Sequence, residues 1–260
     1  MKKILILGTN SLSTRIIYNY LEKEFTDITV IIENKIPPSR FFKIRLKKVG
    51  ILRLFDQILF LTLIQPFLNV LFSKRKKEII SKYEFLTEEI DSKVFYVESV
   101  NHKETIERIC ALSTDIIILS GTRILSQNLL KRIKQPIINI HAGITPEFRG
   151  VHGAYWALIK DLPNLCGVTM HFVDKGVDTG NIIKQELIEI GKKDSIVTYP
   201  LIQLGVGCRL LKELLRVDGQ NLMEHVESFK DPVRTPAFSK QWYHPGFIEY
   251  FLNFLIHGVK

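Results

Sequence analysis

Apolar residues along this chain fall into two alternating rhythms. Short runs rich in Ile, Val and Leu, of a length suited to buried strands, are separated by stretches with apolar positions three or four apart. Lys3 to Leu7 reads as a first strand, "DITVIIEN" as a second, "KVFYV" as a third, "TDIIILSG" as a fourth and "PIINIH" as a fifth. Between them, "SLSTRIIYNYLEKEF" offers a Ser cap followed by Leu12, Ile16, Ile17, Tyr20 and Leu21 at helical spacing. "KETIERICALS" and "LSQNLLKRI" read as further helices. Continuously apolar strands alternating with helices predict an α/β architecture of parallel β-α-β units with both sheet faces covered. Beyond Gly150 the rhythm changes. "HGAYWALIK" predicts a helix, and "NLCGVTMHFVD" and "NIIKQELIEI", joined by the glycine-containing turn "KGVDTG", predict an antiparallel pair. "SIVTYPLIQLGVGCRLLKELLRV" predicts a long helix, and the tail from Pro232 has no period and is expected to wrap the surface.

Residues 34–89 interrupt this series. They contain "ILRLFDQILFLTLIQPFLNVLF", flanked by "KK" and "KRKK" and nearly long enough for a membrane span. Arg53, Asp56, Gln57 and Gln65 argue against a span, because a charge at the bilayer centre costs about 2.5–3.5 kcal/mol even on the lenient scale. Pro66 is expected to break the helix. The expectation is a helical pair packed on the domain or at a subunit contact. A basic helix lying on a membrane surface through residues 51–77 stays open, as does a homodimer.

A chain of 260 residues, 46% hydrophobic and 24% charged, can bury one large core, or one main core and a small appendage. The net charge of +9 favours an anionic partner (a nucleotide, a nucleic acid or a lipid surface), although a merely lysine-rich surface gives the same number. Cys110, Cys166 and Cys208 form no CxxC pair, which fits reduced thiols in a cytoplasmic protein. The opening "MKKILILGTN" has too short an apolar run for a signal peptide and reads instead as the first strand.

Candidate chemistry gathers in "IINIHAGITPEFRG" and "GVTMHFVDKGVDTGN". Asn139 and His141 share parity at the end of a strand that otherwise reads as buried, so both point to one face. Thr169 and His171 share parity on a later strand, and Asp178 follows in a tight turn. If the two strand ends are neighbours, a carboxamide, an imidazole and a carboxylate converge. Taken singly, each residue has a structural explanation: Asp178 shapes its turn, and a strand-end His is often a satisfied core residue. Arg149 could bind an anionic group or cap its loop, and Tyr155 and Trp156 read as helix core. His141, His152 and His171 lack metal-ligand spacing, so no metal is expected. "GTNSLS" after the first strand lacks a G-x-G-x-x-G pattern. Weak phosphate binding at the helix start by Gly8, Thr9, Asn10 and Ser11 stays open.

The ordered set Asn-x-His, a Pro-containing loop ending at Arg-Gly, Gly-x-Thr-x-His and Asp-x-Gly resembles the formyltransferases that use 10-formyltetrahydrofolate. The likeness is strong from about Asp115 to Glu189. It implies a Rossmann-like, mostly parallel sheet with flanking helices, antiparallel strands near the end of the catalytic core, and a small C-terminal appendage. The corresponding boundaries are a catalytic domain over 1–190, carrying the 34–89 insertion, and a C-terminal helix and tail over 191–260. The resemblance implies Asn139, His141 and Asp178 as catalytic, with Thr169 and His171 lining the site. Gly121, Thr122, Arg123, Ile124 and Leu125 would hold the folate largely through backbone groups. Arg149 and Gly150, with Gly8, Thr9 and Asn10, would meet the acceptor.

The residue types suit formyl transfer to an amine. The tetrahedral oxyanion needs a placed donor such as an Asn N–H, and the amine must lose a proton. Glycinamide ribonucleotide transformylases carry a glycine loop that is missing here, and methionyl-tRNA formyltransferases carry a C-terminal barrel for which too few residues remain. A nucleotide-linked amino sugar is therefore the expected small-molecule acceptor, with no nucleic acid partner. The alternative of a different class is a non-catalytic, membrane-associated binding protein that keeps the fold.

Overall fold

The structure, a computed structural model, describes residues 2–90, 93–216, 222–232 and 234–260. From the N-terminus, β1 (Ile4–Thr9), α1 (Leu12–Glu22) and β2 (Ile28–Glu33) precede the helices of the insertion, α2 (Pro38–Val49), α3 (Ile51–Leu59), α4 (Gln65–Leu71) and α5 (Ser73–Lys82). The alternation resumes with β3 (Lys93–Val97), α6 (Lys103–Ala111), β4 (Ile116–Ser120), α7 (Gln127–Arg132) and β5 (Ile137–His141). Next come the short β6 (Arg149–Gly150), α8 (Gly153–Ile159), β7 (Gly167–Phe172), β8 (Ile182–Leu187) and α9 (Tyr199–Leu215). The chain closes with α10 (Leu222–Phe229), β9 (Gln241–Trp242) and α11 (Phe247–His257).

Seven strands form one sheet in the order β3-β2-β1-β4-β5-β7-β8. The first five are mutually parallel, and β7 and β8 run antiparallel at one edge, as the sequence pattern predicts. Strand periodicity divides the core in two. Ile4, Ile6, Ile116 and Ile118 pack on the face covered by α1 and α9, while Leu5, Leu7, Ile117 and Leu119 pack on the face covered by α6 and α7. Tyr155 and Trp156 are core residues, as expected. All three cysteines are free thiols.

Two expectations fail, each for a physical reason. Pro66 does not break its helix: α3 runs through a π-helical turn at Phe60–Ile64 into α4, and the Gln65 N–H bonds the Phe60 carbonyl, so the regular i→i−4 ladder is already interrupted where the N–H of Pro66 is missing. The tail does not only wrap the surface, because Phe247–His257 is a helix. Its residues are apolar almost all round, so no polar face marks its period, and Gly246 and Glu249 form its capping contact.

Candidate active site

Antiparallel pairing of β5 with β7 sets the site. The register puts Asn139 opposite His171 and His141 opposite Thr169, so all four side chains lie on one face at the carboxyl end of β5. Asp178, at φ 51° in the loop after β7, reaches back to them. Its Oδ2 lies 3.3 Å from His141 Nδ1, and its Oδ1 lies 3.7 Å from His171 Nε2. The Asn139 carboxamide donates to Asp178 Oδ1 at 3.4 Å and faces His171 Nε2 at 3.2 Å. The expected neighbourhood of imidazole, carboxamide and carboxylate is therefore present.

The loop between β5 and β6 holds His141 from behind. His141 Nε2 lies 2.7 Å from the Phe148 carbonyl, which can only accept, so that nitrogen carries a hydrogen. Glycine is required at 143 for this contact: a Cβ there would stand 2.4 Å from the Phe148 carbonyl and 2.8 Å from His141 Nε2. Gly150, at φ 97°, donates its N–H to Asp178 Oδ2 at 2.9 Å, and its own Cβ position is filled by the Trp242 backbone.

Burial and charge act against each other here. Burial disfavours the imidazolium of His141 and outweighs the attraction of Asp178, so the ring sits below its ordinary value. Burial raises Asp178, but hydrogen bonding from His171, the His141 charge and the Gly150 N–H outweigh it, leaving the carboxyl below its usual range. The resting pair is a neutral imidazole beside a carboxylate. Because both ring nitrogens of His141 face acceptors, a proton gained there is held on either side.

Two clefts meet at this cluster. One, of about 370 Å³, is lined by Gly121–Leu125, Asn139, His141, Gly150, His171 and the 173–178 loop. The other, of about 280 Å³, lies toward α1 and α9 and includes Leu12, Ser13, Gly121, Asn139, Pro200 and Leu204. Asn139 and Gly121 belong to both walls.

Several expected site residues are placed differently. Thr169 is fully buried behind the cleft, where its hydroxyl donates to the Gly143 carbonyl and accepts from the Thr145 N–H, so it supports the loop and does not line the site. Arg149 donates to the Val177 carbonyl at 3.2 Å and steadies the Asp178 loop; it is in neither cleft wall. Gly8, Thr9 and Asn10 also lie outside both walls, and their neighbours Leu12 and Ser13 take that place. Arg123 lines the first cleft, but its guanidinium is ion-paired to buried Glu33 and bonded to the carbonyls of Asn34 and Glu98.

The sequence pattern missed the tail's part in the site. Glu147, wholly buried beside Phe148, is paired with Arg234, and the Trp242 indole donates to the Glu147 carbonyl at 2.9 Å. His152 and His244 hydrogen-bond at 2.9 Å behind Gly150. Nothing in a periodless tail signals these long-range contacts. Among the described residues no group of three His, Cys, Asp or Glu is arranged to hold a metal ion.

Comparison with known proteins points to one family. A family profile described as formyl transferase matches residues 70–200, half of the chain. The chain is 30% identical over 132 residues to the methionyl-tRNA formyltransferase of Pelotomaculum thermopropionicum, a match covering 49% of this chain and 42% of that protein. The match therefore spans less than half the length of that curated relative. A sugar N-formyltransferase from Shewanella superposes with a TM-score of 0.53 at 18% identity, over 93% of this chain and 76% of that one. A phosphoribosylglycinamide formyltransferase from Bacillus halodurans does so with 0.53 at 21%, over 85% and 98%. These structural likenesses carry the same sheet. With the profile spanning the strand pair that assembles Asn139, His141, His171 and Asp178, the chain belongs to the formyl transferase family.

Proposed function

We propose that this protein transfers a formyl group from 10-formyltetrahydrofolate to the primary amine of a nucleotide-linked amino sugar. The observation that carries the reading is that Asn139 forms part of the wall of two clefts, with His141 and Asp178 beside it. The larger cleft suits a flat heterocycle: Leu119, Ile124, Leu125 and Val173 give apolar walls, and the 121–125 backbone gives polar edges. A sugar 3N-formyl transferase of similar fold was solved in the presence of dTDP and 5-N-formyl-THF, which supports a folate in one cleft and a nucleotide-linked acceptor in the other.

The donor would supply the formyl carbon. As the amine attacks, the formyl oxygen gathers negative charge, and the Asn139 N–H groups, now spent on His171 and Asp178, are close enough to turn toward it. Neutral His141 takes the proton that the amine loses, and Asp178 stabilises the resulting imidazolium. Collapse of the adduct then breaks the bond from the formyl carbon to the donor nitrogen, which takes that proton and leaves as tetrahydrofolate. His171 lies with Nδ1 against the Phe172 carbonyl and Nε2 3.2 Å from the Asn139 amide nitrogen, so the ring fixes the orientation of the carboxamide.

Acceptor choice rests on extent. The sugar enzyme from Shewanella is matched over 93% of this chain and the glycinamide enzyme over 85%, which supports the sugar type. A methionyl-tRNA acceptor is the second reading, favoured by the 30% identity to such an enzyme over 42% of its length. The test is an acceptor screen with the folate donor, scored by mass spectrometry for a gained formyl group. Formylation of an amino-sugar nucleotide supports the proposal, and formylation of methionyl-tRNA or glycinamide ribonucleotide instead overturns the choice. Absence of turnover across all three classes overturns the reading as a whole.

A further inference from the structure

We infer that the insertion and the C-terminal helix together form a docking face for an anionic membrane surface, on which the protein lies without crossing it. The helical run Ile51–Leu71 has a mean hydropathy of 1.6, yet only 22% of its most apolar window is buried. One stripe, with Leu54, Phe60 and Leu68, packs into the core, and the Gln57 side chain between them donates to the His244 carbonyl at 2.7 Å. A helix anchored in this way cannot stand across a bilayer without abandoning those contacts. Its other stripe is also apolar and open to solvent, with Leu52 85%, Phe55 62%, Phe67 62% and Val70 75% exposed. Helix α11 packs beside it, through Phe60 against Tyr250 and Arg53 against Glu249, and exposes Leu255 at 62% and Ile256 at 71%. Adjacent exposed apolar helices on this scale mark a binding surface.

Charge decides between a bilayer and a second copy of the chain. Residues 34–83 hold twelve Lys and Arg against Asp56 and Glu78 alone, a net +10 beside the +9 of the whole protein. The excess positive charge of the molecule therefore resides in this one segment. Exposed Lys43, Lys47 and Lys48 precede the apolar run, and exposed Lys74 and Lys77 follow it. Two such faces packed on each other about a two-fold axis would enclose one basic collar within another. A bilayer with anionic headgroups accepts the apolar stripe and neutralises the collar, the pattern of an interfacial helix with basic flanks.

The test is flotation of the full chain with vesicles of phosphatidylcholine alone and of phosphatidylcholine with phosphatidylglycerol, beside sedimentation velocity without lipid. Binding to the anionic vesicles, weakened by salt and lost in the Phe55→Glu/Phe67→Glu variant while its circular dichroism is unchanged, supports the inference. Equal binding to both vesicle types overturns the role of the collar. No vesicle binding, together with a dimer that the same variant dissociates, shows that a second copy covers the face and overturns the inference. No vesicle binding by a monomer also overturns it.

Discussion

The half-buried His152–His244 pair makes stability steeply dependent on pH. Burial holds both rings neutral, pushing His152 down to about 3 and His244, beside Arg45, down to about 4. In the unfolded chain both return to about 6.5. Below that value the unfolded state binds protons that the folded state refuses, so the stability is complete above 6.5 and is lost as pH falls toward the folded values. At pH 5 both rings are still neutral in the folded protein. Each then costs roughly 1.4 kcal/mol for each unit below 6.5, about 2 kcal/mol per ring and about 4 kcal/mol for the pair. That is a large part of the 5–15 kcal/mol typical of a domain. The assay is urea unfolding at pH 7 and pH 5 for the natural chain and for His152→Asn/His244→Gln. Asn tolerates the left-handed conformation at 152, where φ is 58°. Whatever the variant's starting stability, its loss between the two pH values should be smaller by about 4 kcal/mol. Parallel losses in the two proteins would refute the reasoning.

Three further outcomes follow from the site. Asn139→Ala should lower kcat by about 10²–10³ with folding intact, since one oxyanion donor is worth about 2.7–4 kcal/mol; a change below tenfold, read in steady-state kinetics, would remove Asn139 from that role. Asp178→Asn removes the charge that raises His141, so the ring should titrate lower still by NMR and the acid limb of the rate profile should move down in pH; movement upward contradicts the pairing. Gly150→Ala forces a side chain into φ 97° and into the Trp242 carbonyl at 2.3 Å, and should destabilise the chain by roughly 1–3 kcal/mol as well as cutting activity. An unchanged melting temperature would show that the tail is not seated there.

Alternation of buried strands with amphipathic helices was enough to predict the parallel sheet, because strands covered on both faces must be apolar throughout. Parity alone put Asn139 with His141 and Thr169 with His171, since successive side chains on a strand leave opposite faces. Whether the two strands were neighbours was beyond any local pattern, and the β5–β7 pairing decided it. The same holds for Thr169 and Arg149, whose types suit a ligand. Their partners, the Gly143 and Val177 carbonyls, come from other segments and turn them into supports. The tail shows the limit most plainly. Arg234, Trp242 and His244 carry no period, yet they secure Glu147, Phe148 and His152 behind the site, because a contact between distant segments depends on how the chain is packed and leaves no mark on the spacing of residues in either one.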